Sequence, residues 1–248
     1  MHGKVQIYAD VELLLDALTQ QWWSLVDQAI TERGAFHVAL AGGSTPRNLY
    51  LRLAQTNALH ENKWENIHIY FGDERCVPQD HPDSNYRMAM ESLLSKVSVP
   101  ASNIHAMNDP ALDAEKNAAQ YANVLEQNLV KDANGRPVFD MILLGMGDDG
   151  HTASLFPDTD ILHETSQSVA AQFVEKLAVW RISLTYPTIN AARHVALLIV
   201  GEAKATILAD ISKLSQKAEN ERRYPVQSVI PHGELNWYLD EAAAQLLE

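Results

Sequence analysis

An aspartate and a histidine two residues apart, Asp149 and His151, stand in a glycine-rich segment that runs from Gly145 to Pro157. The segment directly follows the apolar residues 139–144, which predict a buried strand. Open α/β sheets bind ligands at the carboxyl ends of their strands, where turns present side chains and backbone N–H groups together. An imidazole exchanges a proton near neutral pH, because its ordinary pKa is about 6.5. The segment is therefore a candidate site for acid–base chemistry.

The same segment also matches the dinucleotide-binding pattern G-x-G-x-x-G over residues 145–150. That pattern works by resting a pyrophosphate on a helix N-terminus. Here Asp148 and Asp149 would add negative charge beside the pyrophosphate, and Pro157 follows within a few residues. A dinucleotide site is therefore the less favoured interpretation.

Glycine and hydroxyl residues follow a second predicted strand, Phe36–Ala41. Gly43, Ser44 and Thr45 precede Pro46, which we expect at the first position of a helix. A glycine backbone approaches an anion closely, hydroxyls donate hydrogen bonds, and a helix N-terminus adds free N–H groups. The pattern predicts a phosphate site, although an ordinary turn capped by Ser44 or Thr45 remains open. The lysine of a nucleotide P-loop is missing.

Two basic residues lie near other predicted strand ends. Arg75 could clamp a phosphate with two hydrogen bonds, or it could pair with Asp73 or Glu74. Lys204 follows the strand His194–Val200 and falls in the first turn of the next predicted helix, where a cation is unfavourable to the helix dipole. A bound anion would explain that position, and an ordinary exposed lysine is the alternative.

Charge and composition restrict the partners of this chain. Its 248 residues are 46% hydrophobic and 21% charged, which is typical of a globular protein. The 19 basic and 32 acidic residues give a net charge of −13, which argues against a nucleic-acid or anionic-membrane surface. The early residues Asp10, Glu12 and Asp16 do not fit a signal peptide, so we expect a cytoplasmic location. No feature identifies a protein partner.

The cysteine and histidine residues do not predict a metal site. Cys76 is the single cysteine, which excludes a cysteine-based zinc site and an intrachain disulfide. The ten histidines are scattered, without an H-E-x-x-H motif. His81 and Asp83 are close in sequence, and we expect them to be ordinary polar residues of a loop.

Strands alternate with helices along the chain. The predicted elements are the helix Val11–Ile30, the strand Phe36–Ala41, a helix from Pro46 to about Ala54, the strand Ile67–Phe71, a helix capped by Ser84 and ending near Leu94, a polar helix over Asp113–Val130, the strands Phe139–Leu144, Val179–Thr185 and His194–Val200, and the helix Ala203–Leu214. This order predicts one α/β domain over residues 1–248, with a doubly wound, mostly parallel, Rossmann-like sheet flanked by helices. The charged residues 217–223 are expected to form a surface loop.

Taken together, these segments resemble the glucosamine-6-phosphate isomerase/6-phosphogluconolactonase family, and most closely its lactonase branch. The residues that carry the resemblance are Gly42–Pro46, Gly72–Arg75, Ser84–Asn85, Gly145–Pro157, Arg181, Thr185, Gly201–Lys204 and Trp237–Asp240. The resemblance implies an enzyme that hydrolyses 6-phospho-D-glucono-1,5-lactone in the oxidative pentose phosphate pathway and needs no cofactor.

The resemblance also implies roles for individual residues. His151 would be the catalytic acid/base, and Asp149 takes the acidic position of the same turn. The residues implied around the substrate phosphate are Gly43, Ser44, Thr45, Arg75, Arg181 and Lys204. Lactone hydrolysis needs a base to activate water and then an acid to protonate the departing ring oxygen, and one histidine can do both. Backbone N–H groups of the 145–150 turn are candidate donors to the oxyanion.

Two other functions stay open. In the family's deaminase branch the Asp-Gly-His turn is followed by a Glu-Pro pair and the Asp-Glu pair by a tyrosine, whereas this chain has Phe156 and Arg75. Both differences favour the lactonase, although Asp73 remains where a deaminase base would be. A non-catalytic sugar-phosphate sensor is the other alternative, and it would have no need of His151.

Overall fold

A parallel sheet forms the centre of the structure, a computed structural model that describes residues 1–214 and 223–247. Within these ranges the strand order is β1-β9-β8-β5-β2-β3, and every neighbouring pair is parallel. The strands are β1 (Lys4–Tyr8), β2 (Phe36–Leu40), β3 (Ile67–Phe71), β5 (Met141–Leu144), β8 (His194–Ile199) and β9 (Glu234–Asp240). The predicted mostly parallel α/β sheet is confirmed. The strands β1 and β9 were not predicted.

Helices flank this sheet. Their bounds are α1 (Val11–Arg33), α2 (Ser44–Gln55), α3 (Asn57–His60), α4 (Asn85–Ser92), α5 (Ala114–Asn128), α6 (Tyr186–Ala191), α7 (Ala205–Leu214) and α8 (Glu241–Ala244). Ser84 caps α4 by accepting the N–H of Arg87 at 3.1 Å, and Asp113 caps α5 by accepting the N–H of Lys116 at 2.8 Å. These caps satisfy N–H groups that the first helical turn leaves free.

Two predicted helix starts were wrong by two residues. Helix α2 begins at Ser44 rather than at Pro46, because Gly43 is the N-cap and its carbonyl accepts the N–H of Arg47 at 3.1 Å. Helix α7 begins at Ala205, because a separate 3₁₀ turn, Glu202–Lys204, precedes it. Both differences concern residues of the candidate phosphate site. Ser44 and Thr45 lie inside α2, and Lys204 lies in the 3₁₀ turn before α7.

A second, antiparallel sheet lies beside the first and was not predicted. It has the order β4-β7-β6, with β4 at Asp73–Arg75, β6 at Val169–Val174 and β7 at Val179–Leu184. The predicted strand 179–185 therefore belongs to this sheet. Gly72 connects the two sheets, because its N–H donates to Leu40 at 2.8 Å and its carbonyl accepts the N–H of Leu184 at 2.9 Å. The second sheet thus starts at the carboxyl end of β3.

Large aromatic and aliphatic side chains fill the core between the sheet and the helices. Trp22, Trp64, Tyr50 and Phe139 are fully buried. In the described part of the chain, no helix is both long and apolar enough to cross a membrane. The predicted surface loop 217–223 lies outside the described residues, except for Arg223, which is exposed.

Candidate active site

One pocket of about 470 Å³ opens at the carboxyl ends of β2, β5 and β8, next to the second sheet. The predicted site residues that line it are Gly43, Ser44, Thr45, Arg75, His151, Arg181 and Lys204. Asp149 is not one of the lining residues, but it is hydrogen-bonded to His151, which is. The fold therefore brings together residues that the sequence places in five separate segments.

The turn after β5 holds the histidine in one orientation. His151 Nδ1 lies 2.6 Å from Asp149 Oδ1, and the Thr152 hydroxyl donates to the carbonyl of Gly145 at 2.8 Å. The N–H of Gly147 donates to the carbonyl of His151 at 2.9 Å. A carboxylate only accepts hydrogen bonds, so the proton of this contact is on Nδ1. The other ring nitrogen, Nε2, is left for a ligand.

Lys176 neutralises the charge of Asp149. Its Nζ lies 2.5 Å from Asp149 Oδ2, and it stands in the turn between β6 and β7. Burial by itself would raise the pKa of Asp149, but the hydrogen bonds from Lys176 and His151 outweigh burial and lower this pKa to about 2. Asp149 is therefore ionised at neutral pH. Lys176 was not predicted as a site residue, because it lies 27 residues from Asp149 in sequence and belongs to no local motif.

The imidazole of His151 packs against Phe156 and against the backbone of Gly147. The His151 and Phe156 rings stack with their centroids 4.1 Å apart. A Cβ on Gly147 would lie 2.1 Å from His151 Nδ1 and Cε1, so only glycine leaves room for the ring. Residues 151–159 form turns and no helix, which contradicts the dinucleotide interpretation of this segment. Gly147 is required by the ring of His151.

Two arginines face each other across the β4–β7 pair. Arg75 and Arg181 are partners in the strand register, and both line the pocket. Their Nε atoms are buried without a hydrogen-bond partner, and neither residue forms an ion pair within residues 1–214 and 223–247. Burial lowers the pKa of Arg181, and the charge of Arg75 lowers it further. Arg75 Nη1 donates to the carbonyl of Asp83, and two adjacent guanidinium groups of this kind are suited to bind a multiply charged anion.

Asp73 and Glu74 form no ion pair with the Arg75 guanidinium, although Glu74 accepts the backbone N–H of Arg75 at 2.7 Å, and this contradicts the alternative that Arg75 pairs with them. Glu74 accepts the N–H groups of Asn85 and Tyr86, each at 2.8 Å, and thereby joins β4 to α4. Asp73 accepts the Ser154 hydroxyl at 2.7 Å and the Asn85 amide at 3.2 Å. Asn85 and Ser154 were not predicted as site residues. Asp73 lines the pocket, where these two bonds hold it in place.

The start of α2 presents backbone N–H groups to the pocket. Gly43 has φ 103°, and neither Ser44 nor Thr45 caps the helix, which contradicts the alternative of an ordinary turn capped by one of these hydroxyls. The Tyr50 hydroxyl braces the loop by accepting the N–H of Ala41 at 2.9 Å and donating to the same residue's carbonyl at 2.8 Å. The two hydroxyls and the first N–H groups of α2 are therefore not used by a side-chain cap.

Lys204 enters the pocket from the 3₁₀ turn after β8. The Gly201 N–H donates to Asp240 at 2.9 Å, and this bond starts the turn. The Lys204 ammonium forms an ion pair with Asp148 of the turn after β5. Among the described residues, no group of three or more His, Cys, Asp or Glu side chains is arranged to hold a metal ion.

Comparison with known proteins identifies the family of this chain. Residues 9–237 match the model of the family described as glucosamine-6-phosphate isomerases/6-phosphogluconolactonase. The chain belongs to this family. Among its relatives, a protein of Synechocystis sp. named 6-phosphogluconolactonase is 40% identical over 100% of this chain and 99% of its own length. A protein of Nostoc sp. with the same name is 40% identical over 98% of each chain.

Solved structures of the glucosamine-6-phosphate isomerase/6-phosphogluconolactonase family share the fold. The structure of a 6-phosphogluconolactonase from Trypanosoma brucei is 30% identical, covers 99% of both chains and has a TM-score of 0.84. The family's name covers two activities, so membership alone does not distinguish them. The side chains of the pocket must distinguish the two activities.

Proposed function

We propose that this chain is a 6-phosphogluconolactonase, which hydrolyses 6-phospho-D-glucono-1,5-lactone to 6-phosphogluconate in the oxidative pentose phosphate pathway. One observation carries this proposal: the Asp149–His151 pair shares a pocket with the cations Arg75, Arg181 and Lys204. The pocket thus combines a proton-transfer group with an anion site. The names of the relatives that match the full chain support the same activity.

The cationic side of the pocket would bind the phosphate. Arg75 and Arg181 line this side with two guanidinium groups, and Ser44 and Thr45 add hydroxyls at the start of α2. Each charge-assisted hydrogen bond contributes about 1.5–3 kcal/mol, so three or four of them support micromolar binding after the entropy of association is lost. The bound phosphate would then orient the lactone ring toward His151.

His151 would transfer a proton from the attacking water to the ring oxygen of the lactone. Its Nε2 takes a proton from water while the water oxygen attacks the C1 carbonyl carbon, which gives a tetrahedral intermediate. The C1–O5 bond then breaks, and the imidazolium returns the proton to the ring oxygen. Asp149, ionised and hydrogen-bonded to Nδ1, would stabilise the imidazolium between the two steps. The N–H groups of Gly147 and Gly150 are bonded inside the turn, so other donors must serve the oxyanion.

A deaminase is the second candidate, because the buried carboxylate of Asp73 lines the pocket. That reaction needs a base at C2 and, besides the Asp149 position, the Glu of the Glu-Pro pair that helps to orient the histidine during ring opening; this chain has Phe156 at that position. Asp73 already accepts the Ser154 hydroxyl, and an apolar ring, Phe156, packs against His151. These contacts favour the lactonase.

We further propose one functional domain over residues 1–248 and a cytoplasmic location. Residues of both sheets line the pocket, which supports a single unit. A sugar phosphate is an anion that does not cross a bilayer, so the enzyme must be in the compartment where the lactone forms.

The decisive experiment measures hydrolysis of freshly generated 6-phosphogluconolactone, corrected for its spontaneous opening. We expect His151→Ala to lose turnover by about 100- to 10,000-fold while its affinity for 6-phosphogluconate is unchanged. His232→Ala is a matched control, because His232 is exposed and does not line the pocket. Ammonia release from glucosamine 6-phosphate would instead identify a deaminase. Phosphosugar binding without turnover of either substrate would support a sensor.

A further inference from the structure

Two adjacent carboxylates in the turn after β5 differ in how firmly they are held. Asp149 accepts bonds from Lys176 and from both the backbone N–H and Nδ1 of His151. Asp148 has one hydrogen-bond partner among the described residues, the ammonium of Lys204. The Asp148 side chain is 84% exposed. It can therefore leave Lys204 and enter solvent without breaking another bond.

Lys204 is the more buried partner of this ion pair. Its side chain is only 20% exposed and lines the pocket beside the start of α2. The hydrogen bond from Lys204 is the largest cause that lowers the pKa of Asp148, so this carboxylate is ionised at neutral pH. When a phosphate enters the pocket, Lys204 is therefore already paired with the carboxylate of Asp148.

We propose that Asp148 is an internal competitor for the substrate phosphate: it pairs with Lys204 in the empty pocket and is displaced into solvent when phosphate binds. The inference rests on the phosphate-binding role proposed for this pocket. Displacement of Asp148 costs part of the binding free energy of every phosphate ligand, substrate and product alike. The turn would thereby favour release of 6-phosphogluconate, which has the same phosphate as the lactone.

The size of the effect follows from the exposure of the pair. Exposed ion pairs change an equilibrium constant by up to about fivefold. We therefore expect Asp148→Asn, which keeps the side-chain shape and removes the charge, to bind inorganic phosphate about two- to fivefold more tightly. The KM for the lactone should fall by the same factor while kcat does not rise.

Through-space repulsion is the competing explanation, since any carboxylate near the pocket repels phosphate. Calorimetric titration with inorganic phosphate separates the two in a cycle of Asp148→Asn, Lys204→Gln and the double variant. If Asp148 acts by pairing with Lys204, its substitution tightens binding in the wild-type background and not in Lys204→Gln. Glu202→Gln is the matched control, because Glu202 is exposed, lies two residues from Lys204 and forms no ion pair within the described residues.

Several results would overturn the inference. They are unchanged or weaker phosphate binding in Asp148→Asn, equal tightening in Glu202→Gln, tightening that persists without Lys204, and no phosphate binding by the wild-type protein. Because the titration requires no turnover, it is independent of the lactone assay. If the wild-type protein hydrolyses the lactone but Asp148→Asn does not change phosphate binding, only the inference is refuted. If Asp148→Asn tightens phosphate binding but the wild-type protein does not hydrolyse the lactone, only the proposed reaction is refuted.

Discussion

The substitution Gly147→Ala tests whether the position of the imidazole controls turnover. The new Cβ would lie 2.1 Å from His151 Nδ1 and Cε1, whereas non-bonded carbon atoms approach to about 3.5 Å. The ring must therefore move by about 1.4 Å, the difference between the two distances. The Nδ1–Oδ1 contact with Asp149 is 2.6 Å long, and a shift of that size would break it.

Loss of this contact should lower kcat and leave phosphate binding unchanged. A misplacement of about 1 Å costs about 100-fold in rate, and the whole acid–base contribution is at most about 10,000-fold. We therefore expect kcat to fall by a factor between about 100 and 10,000. The cations Arg75 and Arg181 lie on the second sheet and not in the turn that contains Gly147, so the dissociation constant of inorganic phosphate should stay within about twofold.

Gly145→Ala is the matched control in the same turn. A Cβ on Gly145 would have no heavy atom within 4 Å, and neither Gly145 nor Gly147 adopts a left-handed conformation. The assay is initial-rate lactone hydrolysis, corrected for spontaneous opening, together with phosphate calorimetry. Wild-type kcat in Gly147→Ala, or an equal loss in Gly145→Ala, would refute the reasoning.

Two further predictions concern the arginine pair and a histidine cluster. Arg181→Met should raise Tm, because it removes a half-buried charge facing Arg75, and should weaken phosphate binding by about 10-fold or more; a lower Tm with unchanged affinity would contradict it. Burial, with smaller contributions from neighbouring histidines, lowers the pKa of His37 and of His105 to about 4. The unfolded chain binds these protons below about pH 6.5, so the free energy of unfolding should fall as pH drops from 6.5 to 4, by about 3 kcal/mol for His37. Urea unfolding at pH 7 and pH 4.5 should show that the free energy of unfolding falls less in His37→Gln than in the wild-type protein. An equal fall in both proteins would contradict the lowered pKa of His37.

Local patterns determined much of the central sheet. The apolar run Ile67–Phe71 forms β3 as predicted, and Ser84 and Asp113 cap their helices, because burial and capping depend on neighbouring residues. The pattern after each strand also indicated which polar residues lie at the carboxyl edge of the sheet. The start of α2 was placed two residues late, because the N-cap bond of Gly43 depends on a backbone conformation that its sequence does not specify.

Only the tertiary structure decided how these residues are paired. Arg75 faces Arg181 because β4 and β7 are antiparallel in one register, and a short strand such as β4 carries little signal in sequence. Lys204 reaches Asp148 across 56 residues because β5 and β8 are neighbours in the central sheet. The sequence by itself determined which residue types are available at the strand ends. Strand order and register decided which of them meet, since these depend on contacts between distant segments.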